Sequence, residues 1–498
     1  MTASISRSNK KKSEVGDNGL KKESILEGKY DVLDWKYWKN PENYDERLPL
    51  FKVALTEWAC DNDFKREFEE DPQGALDRKG WGDIKASELQ IMTDPVLAAQ
   101  YKSSMDETPI LIKQYRNFIA AKKKHAIEIR DTKPQHEKWK TWRERMVKST
   151  FWREGYIKHA RLVHAPFTIE LTQGCTVGCW FCGVDAEKFQ KPVELSAAKK
   201  ELFEEIIESF KTIAGEEAAQ HGFLYWATDP LDHPDYEWFL RSFYQKLKYW
   251  PQTTTAQGMK HAARLKKLFA DTSDLNSFVQ RFSMIKKKDL KDIREYFTPE
   301  ELFLCEQIAQ FDNEISPKAT AGRTRKIAMK KVKEGKKVGF RYNLEETGSI
   351  ACVSGFLLNM VDQSIKLITP CLATDQWPLG YRILGQEVLE NGKVNETINK
   401  LLENSINANL NPSDVIKIQR GIEVTAPEET KLAFTKYGHT VLLHNIAKAS
   451  EVAEALRGKD KTLIEICGIM SANEVSNIDT MIMLYKIREL GILDESVN

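Results

Sequence analysis

Three cysteines lie close together in the chain, Cys175, Cys179 and Cys182, with the spacing Cys-x3-Cys-x2-Cys. A [4Fe–4S] cluster normally takes four cysteine ligands, so three cysteines leave one iron of such a cluster open to a substrate. Zinc sites usually have a fourth Cys or His nearby and pair their ligands as Cys-x2-Cys. The next cysteine after Cys182 is Cys305, which makes zinc a poor fit. The triplet therefore predicts an iron–sulfur site, with a group of buried structural cysteines as the alternative.

The residues around the triplet add an aromatic ring and a strand. Phe181 stands directly before the last cysteine, and the apolar run Phe167–Leu171 before the triplet is typical of a strand. This order of strand, cysteine loop and aromatic residue resembles the radical SAM superfamily. The resemblance implies that the three cysteines hold a [4Fe–4S] cluster, that its open iron binds S-adenosyl-L-methionine (SAM), and that Phe181 belongs to the cofactor site. In that superfamily, electron transfer from the cluster cleaves SAM to a 5′-deoxyadenosyl radical, so the cofactor supplies the difficult chemistry.

The composition is that of a soluble globular protein. The 498 residues predict about three domains, and 41% hydrophobic with 30% charged residues argues against disorder. The formal net charge of +1 gives no sign of a nucleic-acid partner, and eight cysteines in this length do not form a disulfide scaffold. No apolar run approaches the roughly 18 residues of a membrane span, and the N-terminus has no signal-peptide core. We expect a cytoplasmic protein without a membrane partner, served by an electron donor such as flavodoxin or ferredoxin.

The chain divides by pattern into four parts. Residues 1–28 are polar and predict a flexible tail, and residues 29–150 predict a helical domain. Residues 151–390 alternate strand-like and helix-like runs, which predicts an α/β fold of βα units around a parallel sheet. The radical SAM resemblance makes this core a partial (β/α)6 TIM-like barrel. Residues 391–498 predict helices after a short strand, an order that resembles the winged-helix domains with which peptide-modifying radical SAM enzymes hold a leader peptide.

Several local patterns within these parts predict individual elements. Gly222–Ala227 predicts a buried strand, and the runs on either side of Asp362–Ser364 predict a hairpin. The basic stretch Lys318–Lys337 predicts a solvated helix face, with binding of an acidic peptide as the alternative. Phe64–Gly80 resembles the leader region of nitrile-hydratase-type peptide precursors, although an ordinary small helical domain explains it equally simply.

The contacts to SAM are implied by the same resemblance. Superfamily members often carry Gly-Gly-Glu-Pro after the second strand, and here Ala227-Thr228-Asp229-Pro230 places Asp229 at the Glu position without the glycines. Asp229 is therefore a candidate for the SAM amine, with helix capping as its alternative role. Ser283 matches the usual ribose-contacting position after the fourth strand, and Thr254 and Gln257 are further candidates.

Two phrases narrow the resemblance to one subfamily. Residues 225–236 and 368–381 look like the radical SAM amino-acid epimerases that mature proteusin-type ribosomal peptides. Those enzymes convert L-residues to D-residues, so the resemblance implies a precursor peptide with a leader region as substrate. Two rival hypotheses stay open: a radical SAM enzyme that crosslinks or cleaves peptides, and a metal-stabilised protein that binds peptide or DNA through its C-terminal helices.

Epimerisation needs a second hydrogen donor, because hydrogen leaves one face of Cα and returns to the other. A protonated thiol suits this step, and an ordinary Cys is mostly protonated at neutral pH. The resemblance places the family's donor at Cys371, which follows Pro370. A buried structural role for Cys371 and donation by Cys352 are the alternatives. The remaining cysteines, Cys60, Cys305 and Cys467, lie in helical patterns and are predicted core residues, so a fully cysteine-ligated second cluster is not expected.

Overall fold

The computed structural model describes residues 3–7, 32–103, 107–160, 162–311, 319–336, 348–349, 351–458 and 460–495. Most of the predicted tail at residues 1–28 therefore lies outside the described residues. Within it, strand β1 (Ala3–Arg7) pairs antiparallel with a strand near the C-terminus, with Ala3 opposite Leu443. At residues 3–7 the chain forms a strand and not the predicted flexible tail, because an open sheet edge offers hydrogen-bond partners to the backbone of any extended segment.

The described residues between 32 and 160 are mainly helical. Two short 3-10 helices, Trp35–Lys39 and Pro41–Asn43, precede the first α-helix. The helices that follow are α1 Leu48–Cys60, α2 Asn62–Glu70, α3 Pro72–Arg78, α4 Ala86–Thr93, α5 Pro95–Ser103, α6 Ile110–Asp131 and α7 Glu137–His159. Helix α7 contains a kink at Gly155, whose φ of 76° lies in the left-handed region. This helix runs from the N-terminal helices to the central sheet, and its Trp139 packs edge-on against Phe356 of that sheet.

Residues 165–388 contain both strands and helices. The strands are β2 Ala165–Glu170, β3 Thr172–Gln173, β4 Lys191–Pro192, β5 Thr254–Thr255, β6 Gln280–Met284, β7 Cys305–Ala309, β8 Val353–Asn359, β9 Ser364–Pro370 and β10 Tyr381–Val388. The helices are α8 Ala197–Ala214, α9 Glu216–Ala219, α10 Tyr236–Leu247, α11 Ala262–Ala270, α12 Lys287–Tyr296, α13 Pro299–Phe303 and α14 Gly322–Lys333, with a 3-10 helix at Pro230–Asp232. Cys305 opens a strand rather than the predicted helix, because its backbone pairs with Gln280 of β6.

The strands form several separate sheets, so the fold is mixed α/β. One sheet has the order β10-β9-β8-β2, in which β2 and β8 are parallel, and a second sheet of parallel strands has the order β5-β6-β7. Among the described residues these sheets do not join into a closed barrel, so the predicted partial (β/α)6 barrel is not confirmed. The predicted hairpin is present as the antiparallel pair β8–β9, where Asn359 lies opposite Ser364.

The sequence predicted a strand at Gly222–Ala227, and such a strand would link the two sheets. In the structure this segment forms only a single bridge, between Phe223 and Thr168. The backbone after that bridge bonds to side chains instead of to a neighbouring strand. The Thr168 hydroxyl donates to the carbonyl of Tyr225, and the amide of Ala227 donates to Glu170 Oε1 at 2.8 Å. Because these groups are already satisfied by side chains, the ladder stops and the two sheets remain separate.

The main core lies between the central sheet and its covering helices. Phe167 of β2 stacks on Phe210 of α8 with ring centroids 4.1 Å apart, and both rings are fully buried. Phe356 of β8 packs against the same Phe210 at 5.4 Å. These contacts fix the strand from which the cysteine loop departs.

The C-terminal part has its own sheet and core. Its elements are α15 Val394–Ser405, β11 Val415–Ile416, β12 Glu423–Glu428, β13 Lys431–Lys436, β14 His439–His444, α16 Ala449–Arg457, β15 Lys461–Thr462, α17 Leu463–Ala472 and α18 Asn477–Glu489. Strand β1 completes a sheet of order β1-β14-β13-β12. Strand β14 is followed by helices α16, α17 and α18, with the short strand β15 between α16 and α17, and the winged-helix-like domain stays a prediction. Across the described part of the chain, no helix is both long enough and apolar enough to span a bilayer.

Replacing Phe210 with Ala tests whether this aromatic contact anchors the central sheet. Removing a fully buried Phe typically costs about 3–5 kcal/mol, so Phe210→Ala should lower the denaturation midpoint clearly. Val388→Ala, at a side chain that is 64% exposed, is the control and should leave the midpoint unchanged. Circular dichroism during denaturant titration measures both variants. Equal midpoints for the two variants would contradict the packing described here.

Candidate functional site

The predicted cofactor residues meet at one cavity of about 380 Å³. Its walls contain most of the residues predicted from the sequence: Cys175, Cys179, Phe181, Cys182, Asp229, Thr254 and Ser283. These side chains come from four distant segments of the chain, so the fold and not sequence proximity brings them together. The volume is that of a small-molecule site. We call it the cysteine-loop cavity, and residues 174–183 the cysteine loop.

The three thiols of the loop are half-buried. Burial raises the pKa of Cys175 to about 11 and that of Cys179 to about 12. Backbone amides point at two of the sulfurs, Val177 N at 3.5 Å from Cys175 Sγ and Ala186 N at 3.3 Å from Cys182 Sγ. Such amides stabilise negative charge on sulfur, and metal binding requires the thiolate. The Cys175 and Cys179 thiols are therefore protonated at neutral pH, and metal binding would have to displace their protons.

The thiols do not form a site for one metal ion. Over the described ranges, no three His, Cys, Asp or Glu side chains come together as they must around a single ion. Cysteines that hold an iron–sulfur cluster each bind a different iron, so they need not converge on one point. Within the described residues, the cysteine loop therefore shows no preformed site for a metal ion.

Asp229 caps a helix and also lines the cysteine-loop cavity, and its contact with the SAM amine stays a prediction. Its carboxylate caps the 3-10 helix Pro230–Asp232 by accepting from Leu231 N at 3.1 Å, and the residue also lines the cavity. It accepts further bonds from Thr255 Oγ1 at 2.9 Å and Ala256 N at 2.8 Å. Asp229 is only 4% exposed, and this burial raises its pKa to about 6. These bonds hold the carboxylate rigidly at the edge of the cavity.

Three other polar residues differ in how they relate to the cavity. Thr254 and Ser283 lie on the neighbouring parallel strands β5 and β6, and both line it. Tyr225 holds Thr254 in place through a hydroxyl contact of 2.8 Å. Gln257 is not part of the wall: its amide donates to Asp232 Oδ1 at 2.8 Å and its carbonyl accepts from Lys260. Gln257 therefore lies behind the residues that line the cavity, although it was predicted to line the cavity itself.

Asp232 is a positioning residue that the sequence did not reveal. Its carboxylate accepts from Thr176 N at 2.9 Å and from Thr176 Oγ1 at 2.6 Å. Because Thr176 directly follows Cys175, this pair fastens the start of the cysteine loop to the 3-10 helix that Asp229 caps. The only sequence signal is the phrase around residues 225–236, which resembles the epimerases without assigning a role to this residue.

Arg323 fastens the other end of the loop. Its guanidinium donates to Cys179 O at 2.8 Å and to Asp185 Oδ1 at 3.2 Å, and its amide donates to Cys182 O at 2.9 Å. At the preceding residue, Gly322, a Cβ atom would lie 2.3 Å from Gly183 O, and φ is +53°. The basic stretch was predicted to be a solvated helix face, and Arg323 departs from that prediction because the start of α14 packs on the loop.

Cys371 lies away from the cysteine-loop cavity. It follows β9, is 3% exposed, and its amide donates to Gly380 O at 3.0 Å. Burial raises the pKa of its thiol to about 11, against the opposing effect of the nearby cations Arg153 and Arg382. The thiol is therefore protonated at neutral pH, although it is not among the residues that line the cavity.

Cys352, the alternative donor, directly precedes β8 and lines a separate cavity of about 170 Å³. Tyr225 lines both this cavity and the cysteine-loop cavity, so one ring forms a wall of each. Burial raises the pKa of the Cys352 thiol to about 11. Both candidate donors therefore carry a hydrogen, and they occupy different places around the hairpin.

Comparison with known proteins gives few relatives. No protein-family model matches the chain. A protein of Sinorhizobium fredii (strain NBRC 101917 / NGR234), described as uncharacterized protein y4wI, is 29% identical over 479 residues, which cover 93% of this chain and 91% of that protein. Among solved structures, the crystal structure of BtrN in complex with AdoMet and 2-DOIA matches with a TM-score of 0.30 and 12% identity, over 48% of this chain and 82% of that one. A likeness at this level carries no argument about fold or function.

Arg323→Gln tests whether the guanidinium holds the cysteine loop. The variant loses the bonds to Cys179 O and Asp185, so amides of residues 175–187 should exchange with deuterium at least tenfold faster than in the wild type. Arg325→Gln is the matched control, because Arg325 on the same helix pairs with Asp375, whose side chain is 93% exposed. Hydrogen exchange followed by mass spectrometry measures both. Unchanged exchange in Arg323→Gln would remove this residue from the support of the loop.

Proposed function

We propose that this chain is a radical SAM enzyme whose cysteine-loop cavity holds a [4Fe–4S] cluster and SAM. One observation carries the proposal: the three cysteines share a single cavity with Phe181, Asp229, Thr254 and Ser283. The cysteines were selected from the sequence for the cluster, Asp229 for the SAM amine, and Thr254 and Ser283 as polar contacts to SAM. The four segments that carry these residues meet at this cavity, which supports the proposal.

The donor set fits the proposed groups. Three thiols in one cavity, with amides directed at two of the sulfurs, suit a cluster that lacks a fourth protein ligand. When bound, the cluster and SAM together supply a 5′-deoxyadenosyl radical. The chain supplies the surroundings: the buried Asp229 carboxylate is a partner for the SAM ammonium, and the hydroxyls of Thr254 and Ser283 are partners for the ribose. Phe181 and Trp226 supply aromatic surface to the wall of the cavity.

Within this class, we propose epimerisation of residues in a ribosomally made peptide. The support is the resemblance of residues 225–236 and 368–381 to the peptide epimerases, together with a buried, protonated thiol at Cys371. A thiol can return a hydrogen atom to Cα from the face opposite to abstraction, since a thiolate has none to give. Both steps act on one Cα, so the proposal requires the Cys371 thiol to come within reach of that Cα at the cysteine-loop cavity when the peptide is bound. A flavodoxin or ferredoxin is the proposed electron donor.

Cluster assembly tests the class of enzyme. After anaerobic reconstitution, the wild type should bind iron and sulfide, show broad charge-transfer absorption, and cleave SAM to 5′-deoxyadenosine when reduced. The triple variant Cys175→Ala, Cys179→Ala, Cys182→Ala should lose all three properties. Cys467→Ala, at another half-buried cysteine, is the control and should keep them. A triple variant that still binds the cluster would contradict the assignment.

Removal of the candidate thiols tests the hydrogen donor. Cys371→Ala should still form 5′-deoxyadenosine but should lose the D-residue, because hydrogen return fails while abstraction persists. In heavy water the wild-type product should carry deuterium at Cα, measured by mass spectrometry and chiral amino-acid analysis. If Cys352→Ala loses the D-product and Cys371→Ala keeps it, the donor is the thiol beside Tyr225. Peptide products of altered mass in ordinary water would instead indicate crosslinking or cleavage.

A further inference from the structure

Helix α14 carries a row of exposed lysines along one side. Lys326, Lys330 and Lys333 are spaced i, i+4 and i+7, and this spacing places three side chains on one face of a helix. All three residues are exposed, and the Lys326 and Lys330 side chains are 68% and 78% exposed. We call these three residues the lysine face.

The lysine face belongs to a strongly basic segment in a chain that is nearly neutral. Residues 322–336 contain seven Lys and Arg residues and one acid, Glu334, whereas the whole chain has a formal net charge of +1. Asp185 and Asp375 pair with basic residues of this segment, so within the described residues an excess of positive charge remains. Exposed pairs such as Lys330 with Glu334, at 3.9 Å, are weak and leave the charge available to a partner.

The lysine face begins beside the cysteine loop. Arg323, three residues before Lys326, donates to Cys179 O at 2.8 Å, and Lys326 itself pairs with Asp185. A helix rises about 1.5 Å per residue, so from Arg323 the face extends roughly 15 Å along α14. No lysine of the face is among the residues that line the cysteine-loop cavity. A partner on this face would therefore stand outside the cavity and next to the loop.

The outer side of the cysteine loop is open to solvent. Thr176 and Gly178, which lie between the first two cysteines, are exposed. A Cβ atom built on Gly178 would have no neighbouring atom of the described chain within 4 Å. A protein docked on the lysine face can therefore approach the loop from solvent.

We propose that the lysine face and the open side of the cysteine loop dock an acidic electron-carrier protein. The choice of an electron carrier rests on the proposed function, because that function needs an electron delivered to the group that the loop holds. The carrier is oxidised by one electron, and that group is reduced by one. Complementary charge steers and orients such partners, and electron-transfer complexes are small and weak. An acidic peptide also suits a basic face, but a peptide substrate would react inside the cavity, which no lysine of this face lines.

Calorimetric titration of the full chain without cluster tests the docking by itself. The probes are an oxidised flavodoxin and an oxidised ferredoxin, both acidic proteins, and a tetraglutamate peptide. At low salt at least one carrier should bind, and added NaCl should weaken the binding, because salt screens exposed charges. The proposal is overturned if neither carrier binds, or if tetraglutamate binds more tightly than both.

Charge variants assign the binding to the lysine face. The triple variant Lys326→Gln, Lys330→Gln, Lys333→Gln should weaken carrier binding about tenfold, whereas Arg at the same three positions should preserve it. The matched control carries Gln at three lysines that are 74–78% exposed on α11 and α12: Lys267, Lys288 and Lys291. Both Gln variants change the net charge equally, so equal binding by the two would overturn the assignment.

Reduction kinetics separate this inference from the proposed function. After reconstitution, the Gln variant of the lysine face should be reduced about tenfold more slowly than the wild type by the reduced carrier. Dithionite, which needs no docking face, should reduce both at the same rate, followed by stopped-flow absorption. Equal rates with the carrier would overturn the docking even where the cluster forms. If no cluster assembles, the proposed function fails, and the titrations still decide whether the face binds an acidic protein.

Discussion

The cysteine loop has to present three thiols to one cavity although it forms no helix and only an isolated bridge, between Cys175 and Lys188. Bonds from neighbouring elements meet this constraint. Asp232 holds Thr176 at the start of the loop, and Arg323 holds the carbonyl of Cys179 from the other side. The proposed chemistry depends on these bonds, since a loop free to move would let the thiols turn away from a shared ligand.

The β9–β10 strand pair is the second organising feature, because side chains on its two faces contact different parts of the molecule. Tyr381 lies on one face and packs edge-on against Trp226 in the wall of the cysteine-loop cavity, with ring centroids 5.7 Å apart. Thr369 and Arg382 lie on the other face, where the Thr369 hydroxyl contacts Ser354 Oγ at 3.1 Å. The register therefore places the position of Cys371, two residues beyond Thr369, on the face turned away from that wall.

Local patterns predicted much of this arrangement. The β8–β9 hairpin was predicted from its polar turn residues, and the three cysteines, Asp229, Thr254 and Ser283 were selected by the family resemblance before the fold brought them to one cavity. The prediction of a strand at Gly222–Ala227 was wrong because Glu170 and Thr168 form hydrogen bonds with the backbone of this segment. Such bonds join residues that are distant in the sequence, so the hydropathy pattern of the segment does not reveal them. Arg323 was missed for a related reason: a basic helix face has the same composition whether its first residue faces water or a loop. Cys371 matched its motif, but only the strand register shows the face on which it lies.

Iron anomalous diffraction from crystals of the anaerobically reconstituted protein tests the central claim most directly, because it locates the metal without reference to activity. The account predicts one compact iron peak inside the cavity bounded by Cys175, Cys179 and Cys182, with the three sulfurs as its protein ligands. An iron peak at another place in the chain, or a single ion held by fewer than three of these thiols, would contradict it.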